Sequence, residues 1–302
     1  QFLDIINILN RGELDRVRFL SPPAVSAKGV IALSSNLSSV TNDVAGRIRL
    51  DKATVLNLPL NTLSGDLAIN GYTARISNVM GTSDDGGKVT GDISFHFPEY
   101  AASATVFKAN VKLDKVGLDK LSQAFNVTNA RAGMVSGNIQ MSGPTSGKTI
   151  PQLSGSGNVR ISDGLIHRMK IFAGFTDYLA RNIPGLSAVV NQSSGSMDFT
   201  ITNGVLYTEN LLIEGNVFSI NGRGNYNIDT DRIDFVVRAN IFRQRTFAGR
   251  LTHFLALPFS RMLLEFKVFG TLENPDWSYV NIIERITDQF SGSADASPQT
   301  EN

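Results

Sequence analysis

Apolar and polar residues alternate with a period of two along most of the chain. In the segment 63–69, Gly65, Leu67 and Ile69 share one parity, and Ser64, Asp66 and Ala68 share the other. A strand sends successive side chains to opposite faces, so this pattern predicts an antiparallel strand with one buried face. Asn70-Gly71 follows, a type I′ hairpin signal, and Tyr72, Ala74 and Ile76 alternate on the return strand. The same reading predicts strands over 88–97, 102–113, 205–213, 218–220, 232–241 and 262–272. Turn signals separate them at Asp85-Gly86-Gly87, Asp163-Gly164, Asn203-Gly204 and Asn221-Gly222. About fourteen strands are expected; side by side at ~4.8 Å each they make a sheet on the order of 60 Å across. An open sheet of that width curls or splits.

One phrase recurs within the alternation: glycine, any residue, apolar, any residue, apolar. It appears at Gly46, Gly65, Gly91, Gly137, Gly157, Gly195 and Gly224, with a degenerate copy at Gly270. The spacing varies from 19 to 46 residues, so this is a repeat of strand chemistry and not a fixed-period solenoid. The glycine falls on the apolar face each time. Interior strand glycine costs packing and entropy. Its repetition at one place implies a geometric reason, either strong curvature of the sheet or room kept open on its inner face.

Helical spacing interrupts the strands. It is present at Phe2, Ile5, Ile6 and Leu9, and again at Leu118, Leu121 and Phe125. A longer amphipathic stretch carries Ile171, Phe172, Phe175, Tyr178, Leu179 and Ile183 and ends at Pro184-Gly185. Phe247, Leu251, Phe254 and Leu255 make another, ending at Pro258, and Val280, Ile283, Ile286 and Phe290 a last one. The expected organisation is a single elongated domain over 1–290 with no internal linker. It has an N-terminal helical segment at 1–20, amphipathic helical insertions at 166–190 and 246–260, and a C-terminal helix at 280–290. Residues 291–302, rich in Ser, Ala, Asp, Pro, Gln and Thr, read as a disordered tail.

Composition narrows the function classes. The chain has 302 residues, with 28 Lys+Arg against 27 Asp+Glu, and no cysteine. Absence of cysteine removes disulfide scaffolds, thiolate zinc sites and thiol catalysis. A net charge of +1 gives no global attraction to nucleic acid. No run of 18 apolar residues is present, so no helix of this sequence spans a membrane. The chain opens on Gln without a signal-peptide pattern and reads as a piece of a longer protein.

Catalytic constellations are sparse. His96, His167 and His253 are isolated and lack metal-ligand spacing, and His96 falls on the solvent parity of its strand. Gly143 to Thr149 mimics a phosphate loop, but Ser142 stands where that loop needs glycine and Ile150-Pro151 follows in place of a helix. It reads as a hairpin loop. Asp84-Asp85 and Asp229-Thr230-Asp231 sit at turns, where acids bond their own backbone. No enzyme activity, metal or cofactor is expected.

Charge is uneven. Between Val237 and Lys267 the cations are Arg238, Arg243, Arg245, Arg250, Arg261 and Lys267, and Glu265 is the one acid, giving +6 − 1 = +5. These surround the apolar helix expected near 247–257. Arg243, Arg245, Phe247, Arg250, Leu251 and Phe254 are candidates for contact with an anionic lipid surface. The alternative is a helix that plugs the end of the β core with its arginines solvated.

Four phrases in order carry a family resemblance: LSGSGNVRISDGLI over 153–166, SMDFTITNGVLYTENLLI over 196–213, GRGNYNI over 222–228 and FGTLENPDW over 269–277. Over roughly 130–280 the chain resembles the C-terminal region of the AsmA-like proteins, relatives of the TamB group of bacterial envelope proteins. The resemblance implies a periplasmic protein tethered to the inner membrane by an N-terminal helix, which this sequence lacks. It implies a long β-sheet bent into a trough with an apolar interior, and a bridge that moves phospholipid toward the outer membrane and supports its assembly. No catalytic residues come with it.

The two readings meet in one expectation. The fold class is mainly β, a long curved antiparallel sheet forming an open apolar groove or trough, with several short amphipathic α-helices. Its lining is expected from Leu67, Ile69, Ile93, Phe95, Ile139, Met141, Val159, Ile161, Phe199, Ile201, Phe235 and Val237. Left open, such a strip exceeds the apolar patches of soluble monomers and needs a ligand; phospholipid acyl chains fit it without hydrogen bonds. If opposing side chains meet instead, these residues are ordinary core. The chain is then a structural or regulatory envelope scaffold acting through protein partners at its sheet edges. A surface-exposed β-rich adhesin is the third reading. Nucleic acid is not an expected partner.

Overall fold

The computed structural model describes residues 17–30, 42–55, 57–98, 104–124, 132–145, 150–166, 170–182, 193–216, 218–242 and 261–280. Alternating sequence gives strands almost throughout. They are β1 (Val17–Phe19), β2 (Ala24–Val30), β3 (Asp43–Val55), β4 (Leu58–Asn70) and β5 (Thr73–Thr82). β6 (Lys88–His96), β7 (Val106–Gly117), β8 (Met134–Pro144), β9 (Ser154–Gly164) and β10 (Ser193–Thr202) follow. The last are β11 (Val205–Gly215), β12 (Phe218–Asn227), β13 (Arg232–Phe242), β14 (Arg261–Thr271) and β15 (Pro275–Val280). Among the described residues two helices interrupt them, α1 (Leu118–Ala124) and α2 (Ala173–Asn182), the second entered through a 3₁₀ turn at Lys170–Phe172.

All the strands form one sheet. From β3 onward each strand pairs antiparallel with the next, while β2 and β1 lie along the same outer edge of β3. Among the described residues β15 pairs with β14 alone, and the sheet is open and not a barrel. This is the mainly β, open antiparallel class that the alternation predicts.

Bulges bend the sheet. The register shifts opposite Asn78 in β5, Lys115 in β7 and Asp163 in β9, and each of these residues has a positive φ of 52–53°. β11 shifts again between Thr208 and Leu211. These strands all run the same way. Each bulge bends its strand and adds twist, so a bulge on alternate strands coils the sheet in one sense. The coil shows in α1: it leaves the end of β7 yet packs on β4, across the intervening β5 and β6.

The expected helices and turns are met with corrections. The segment predicted helical at 1–20 has a strand at its described end, Val17–Phe19; the rest lies outside the described residues. Val280 closes β15 and does not begin a helix, and 281–302 lies outside the described residues. The insertion at 246–260 does too, while that at 166–190 contains α2. At the β4–β5 hairpin the central residues are Gly71 and Tyr72, with positive φ at Gly71 alone, so the turn is not type I′. Asn203-Gly204 is the I′ turn, with φ of 52° and 74°. Asn221-Gly222 is no turn; both residues pair within β12.

Candidate functional site

The sheet register gathers the predicted lining on one face. One cross-strand row runs without a break through Gly46, Leu67, Ile76, Ile93, Ala109, Met141, Gly155, Ile201, Leu206, Tyr226, Ile233, Gly270 and Pro275. A row on one side of it holds Val44, Ile69, Ala74, Phe95 and Phe107. On the other side come Gly91, Val111, Ile139, Gly157 and Phe199, and farther along Thr208, Gly224, Phe235, Val268 and Trp277. The next row contains Leu113, Gly137, Val159 and Met197, then Gly222, Val237 and Phe266. Ile161 lies one row farther, between Val135 and Gly195. None of these rows contains a charged residue. The alternate row on the opposite face reads Asp92, Asn110, Gln140, Ser156, Thr200, Tyr207, Asn225 and Asp234.

The rows also explain the recurrent glycine. Across neighbouring strands, glycine opposes large apolar residues: Gly137 lies between Leu113 and Val159, Gly157 between Ile139 and Phe199, and Gly222 between Leu211 and Val237. A Cβ at Gly91 would stand 2.0 Å from the Asn110 carbonyl oxygen, and one at Gly137 2.2 Å from that of Asn158. At Gly157 it would meet the Phe199 ring at 2.7 Å. What these positions show is close approach of the neighbouring strand, a reason distinct from the curvature and the open room expected from the sequence.

Three packed clusters occupy parts of the apolar face. Val44, Leu67 and Ile69 form one near β3–β5. Leu118 of α1 closes a second with Leu58, Leu60, Leu113, Val116 and Val135. α2 and the 3₁₀ turn before it close the third, over β11–β14, by inserting Phe175 and Phe172 among Ile213, Phe218, Ile220, Val237, Ala239 and Phe266. Burying a phenylalanine such as Phe175 is worth about 2–3 kcal/mol.

Between the clusters lies a stretch that no element among the described residues covers in this way. Ile93, Phe95, Phe107, Ile139 and Met141 on β6–β8 are half-buried and belong to none of the three clusters. Val111 and Val159 border it, half-buried at the edge of the α1 cluster. From β5 to β9 the stretch is roughly 20 Å across at ~4.8 Å per strand. The predicted lining thus divides. Ile93, Phe95, Ile139, Met141, Val159, Ile161 and Phe235 are half-buried, whereas Leu67, Ile69, Phe199, Ile201 and Val237 are buried, at 3–7% exposure. Arg243, Arg245, Phe247, Arg250, Leu251 and Phe254 lie outside the described residues.

Polar groups near the face are satisfied or kept neutral. Burial, with the hydrogen bond that the Tyr226 hydroxyl donates to Asp231 (3.0 Å), pushes the tyrosine up to about 12. At the α1 rim, burial alone would raise Asp85, but hydrogen bonds outweigh it and hold the carboxyl below its ordinary value. Ser83 Oγ donates to Asp85, as do the amides of Gly87 (3.1 Å) and Gly117 (2.7 Å). The neighbouring Asp84 pairs with Lys120 of α1 at 3.1 Å. These turn acids therefore have structural partners, and among the described residues no group of His, Asp or Glu is placed to hold a metal ion.

Sequence reasoning missed β15 and with it Trp277. The signal was present, since Pro275, Trp277 and Tyr279 alternate as strand residues do. It also missed Phe107 and Val111 as lining, although both alternate on β7. No helix among the described residues is long and apolar enough to cross a membrane. Comparison with family models, with characterised proteins and with solved structures gives no match.

Proposed function

We propose that this chain is the periplasmic part of an AsmA-like envelope protein, one that binds phospholipid acyl chains on the apolar face of its sheet and supports their transport between inner and outer membrane. The observation that carries the reading is the half-buried stretch on β6–β8 that no element among the described residues caps. Ile93, Phe95, Phe107, Ile139 and Met141 stand on a charge-free face, half-buried, outside every packed cluster. Such a surface has hydrocarbon as its natural complement. Each buried methylene contributes ~0.8 kcal/mol, so a saturated chain of about 16 carbons gains on the order of 10 kcal/mol before entropy losses. These contacts are non-directional and do not depend on register along the face, which suits a chain that slides. The reading includes no chemical step and no cofactor.

The scaffold reading has its own support, in the three clusters that occupy other parts of the face. Lipid extraction and mass spectrometry of the purified chain separates the two. Native protein is expected to carry phospholipid, and Ile139→Asp to carry several-fold less while its far-ultraviolet circular dichroism is unchanged. Ile139 is suited to this test because it is half-buried and outside the clusters. Absence of phospholipid from native protein, or equal content in a folded Ile139→Asp variant, sinks the groove reading and leaves the scaffold.

A further inference from the structure

The helix α2 has little to hold it apart from its docking. It is ten residues long and carries Gly174 in its first turn, a length and composition marginal for an isolated helix. The docking is aromatic. Phe175 is fully buried in a cage made by Phe218, Phe266 and Trp277, with ring centroids 5.5, 6.2 and 6.1 Å away. The Trp277 indole N–H donates to the Ile171 carbonyl oxygen at 2.8 Å. Gly174 permits the approach, since a Cβ there would stand 2.5 Å from Trp277 Cγ. Trp277 itself is on β15, which among the described residues is an edge strand paired only with β14.

The floor of this cage continues the stretch of β6–β8 that no described element caps. Trp277 pairs with Val268, Val268 with Phe235 and Phe235 with Gly224. Across the irregularity between β10 and β11, the same face leads to Phe199, Gly157 and Ile139. Phe175 therefore sits on the same apolar surface that is half-buried, and capped by no described element, on β6–β8. An acyl chain can offer the cage the contact that Phe175 gives, because that contact is hydrocarbon burial without direction. We infer that the cage of Phe218, Phe266 and Trp277 is a second acyl-chain subsite, occupied here by the chain's own Phe175, and that α2 is its displaceable stopper. This rests on the acyl-chain reading proposed above and adds where the bound hydrocarbon goes next.

The test uses two properties of the sequence, its lack of cysteine and its single tryptophan. A Cβ at Gly174 would lie 2.7 Å from Trp277 Cβ, so in a Gly174→Cys, Trp277→Cys variant a shift of about 1 Å reaches disulfide distance. The full chain is incubated with vesicles of phosphatidylethanolamine and phosphatidylglycerol holding a fluorescent acyl-labelled tracer. Because Trp277→Cys removes one wall of the cage, the comparison is within the variant. Tracer bound per protein is expected to be at least twofold lower in its oxidised form than in its reduced form, where Phe218 and Phe266 still line the cage. Equal binding in the two states overturns the stopper. In the native chain, vesicles with brominated acyl chains are expected to quench Trp277 fluorescence, and Ile139→Asp to abolish the quenching. Tracer binding without quenching overturns the second subsite and leaves the first. Absence of tracer binding in every form overturns both.

Discussion

Glycine does two jobs at the residue scale, and they can be told apart by substitution. At Gly91 and Gly137 the neighbouring strand's carbonyl oxygen occupies the place of a Cβ, at 2.0 and 2.2 Å. At Gly143 the nearest atoms lie at 3.5 Å, an ordinary contact. Gly137→Ala is therefore expected to push β8 off β9 and to cost about 1–3 kcal/mol, as overpacking does. Gly143→Ala is expected to stay within about 0.5 kcal/mol of native. Urea midpoints at constant slope measure both. A Gly137→Ala variant as stable as the Gly143→Ala control would remove strand approach as the reason for the repeated glycine. These glycines were legible in the sequence as a pattern but not as a cause. Parity placed Gly137 on the apolar face, while the Asn158 carbonyl that excludes a side chain there belongs to a strand joined to it only by register. Asn221-Gly222 shows the same limit. Its dipeptide has turn chemistry, yet Gly222 is needed mid-strand between Leu211 and Val237.

At the scale of elements, α1 depends on a carboxylate that clamps the turn before β6 to the end of β7. Asp85 takes amide hydrogen bonds from Gly87 and Gly117, one on each element, and its pKa is held below the ordinary carboxylate value. The folded state then favours the ionised form. Its contribution is fully present above the unfolded value, near 3.8, and is lost as pH falls through the lower folded value. Asp85→Asn is expected to be less stable than native at pH 7, with the difference shrinking below about pH 4 as native Asp85 protonates. Urea midpoints across that range check it; a difference independent of pH would locate the effect elsewhere. The clamp illustrates which elements the sequence discloses. Leu118 and Leu121 announced α1 through helical spacing, and Leu67, Ile93, Met141 and Ile201 announced their strands through alternation. Where α1 and α2 land was hidden, because Leu118 against Leu58 and Phe175 against Trp277 are contacts between distant parts of the chain, made only once the sheet has coiled.

For the whole molecule, the stretch of β6–β8 that lies outside the packed clusters is a measurable thermodynamic quantity. A ligand that binds the folded chain and not the unfolded one stabilises it by RT ln(1 + [L]/Kd), about 2.7 kcal/mol at a hundredfold excess over Kd. The unfolded chain has no assembled apolar face, since the row Ile93–Ala109–Met141 exists only through pairing of β6, β7 and β8. Protein stripped of lipid is therefore expected to unfold at a lower temperature than protein carrying it, and to regain the difference when phospholipid is returned. Ile139→Asp should show the lower temperature with or without lipid. Phe199→Asp is a poorer probe of the same face: at 7% exposure its charge is buried, so loss of fold and loss of binding coincide. A scaffold with protein partners at its edges has no such dependence. A melting temperature indifferent to delipidation in the native chain would mean that the half-buried residues of β6–β8 face water or another protein, and not hydrocarbon.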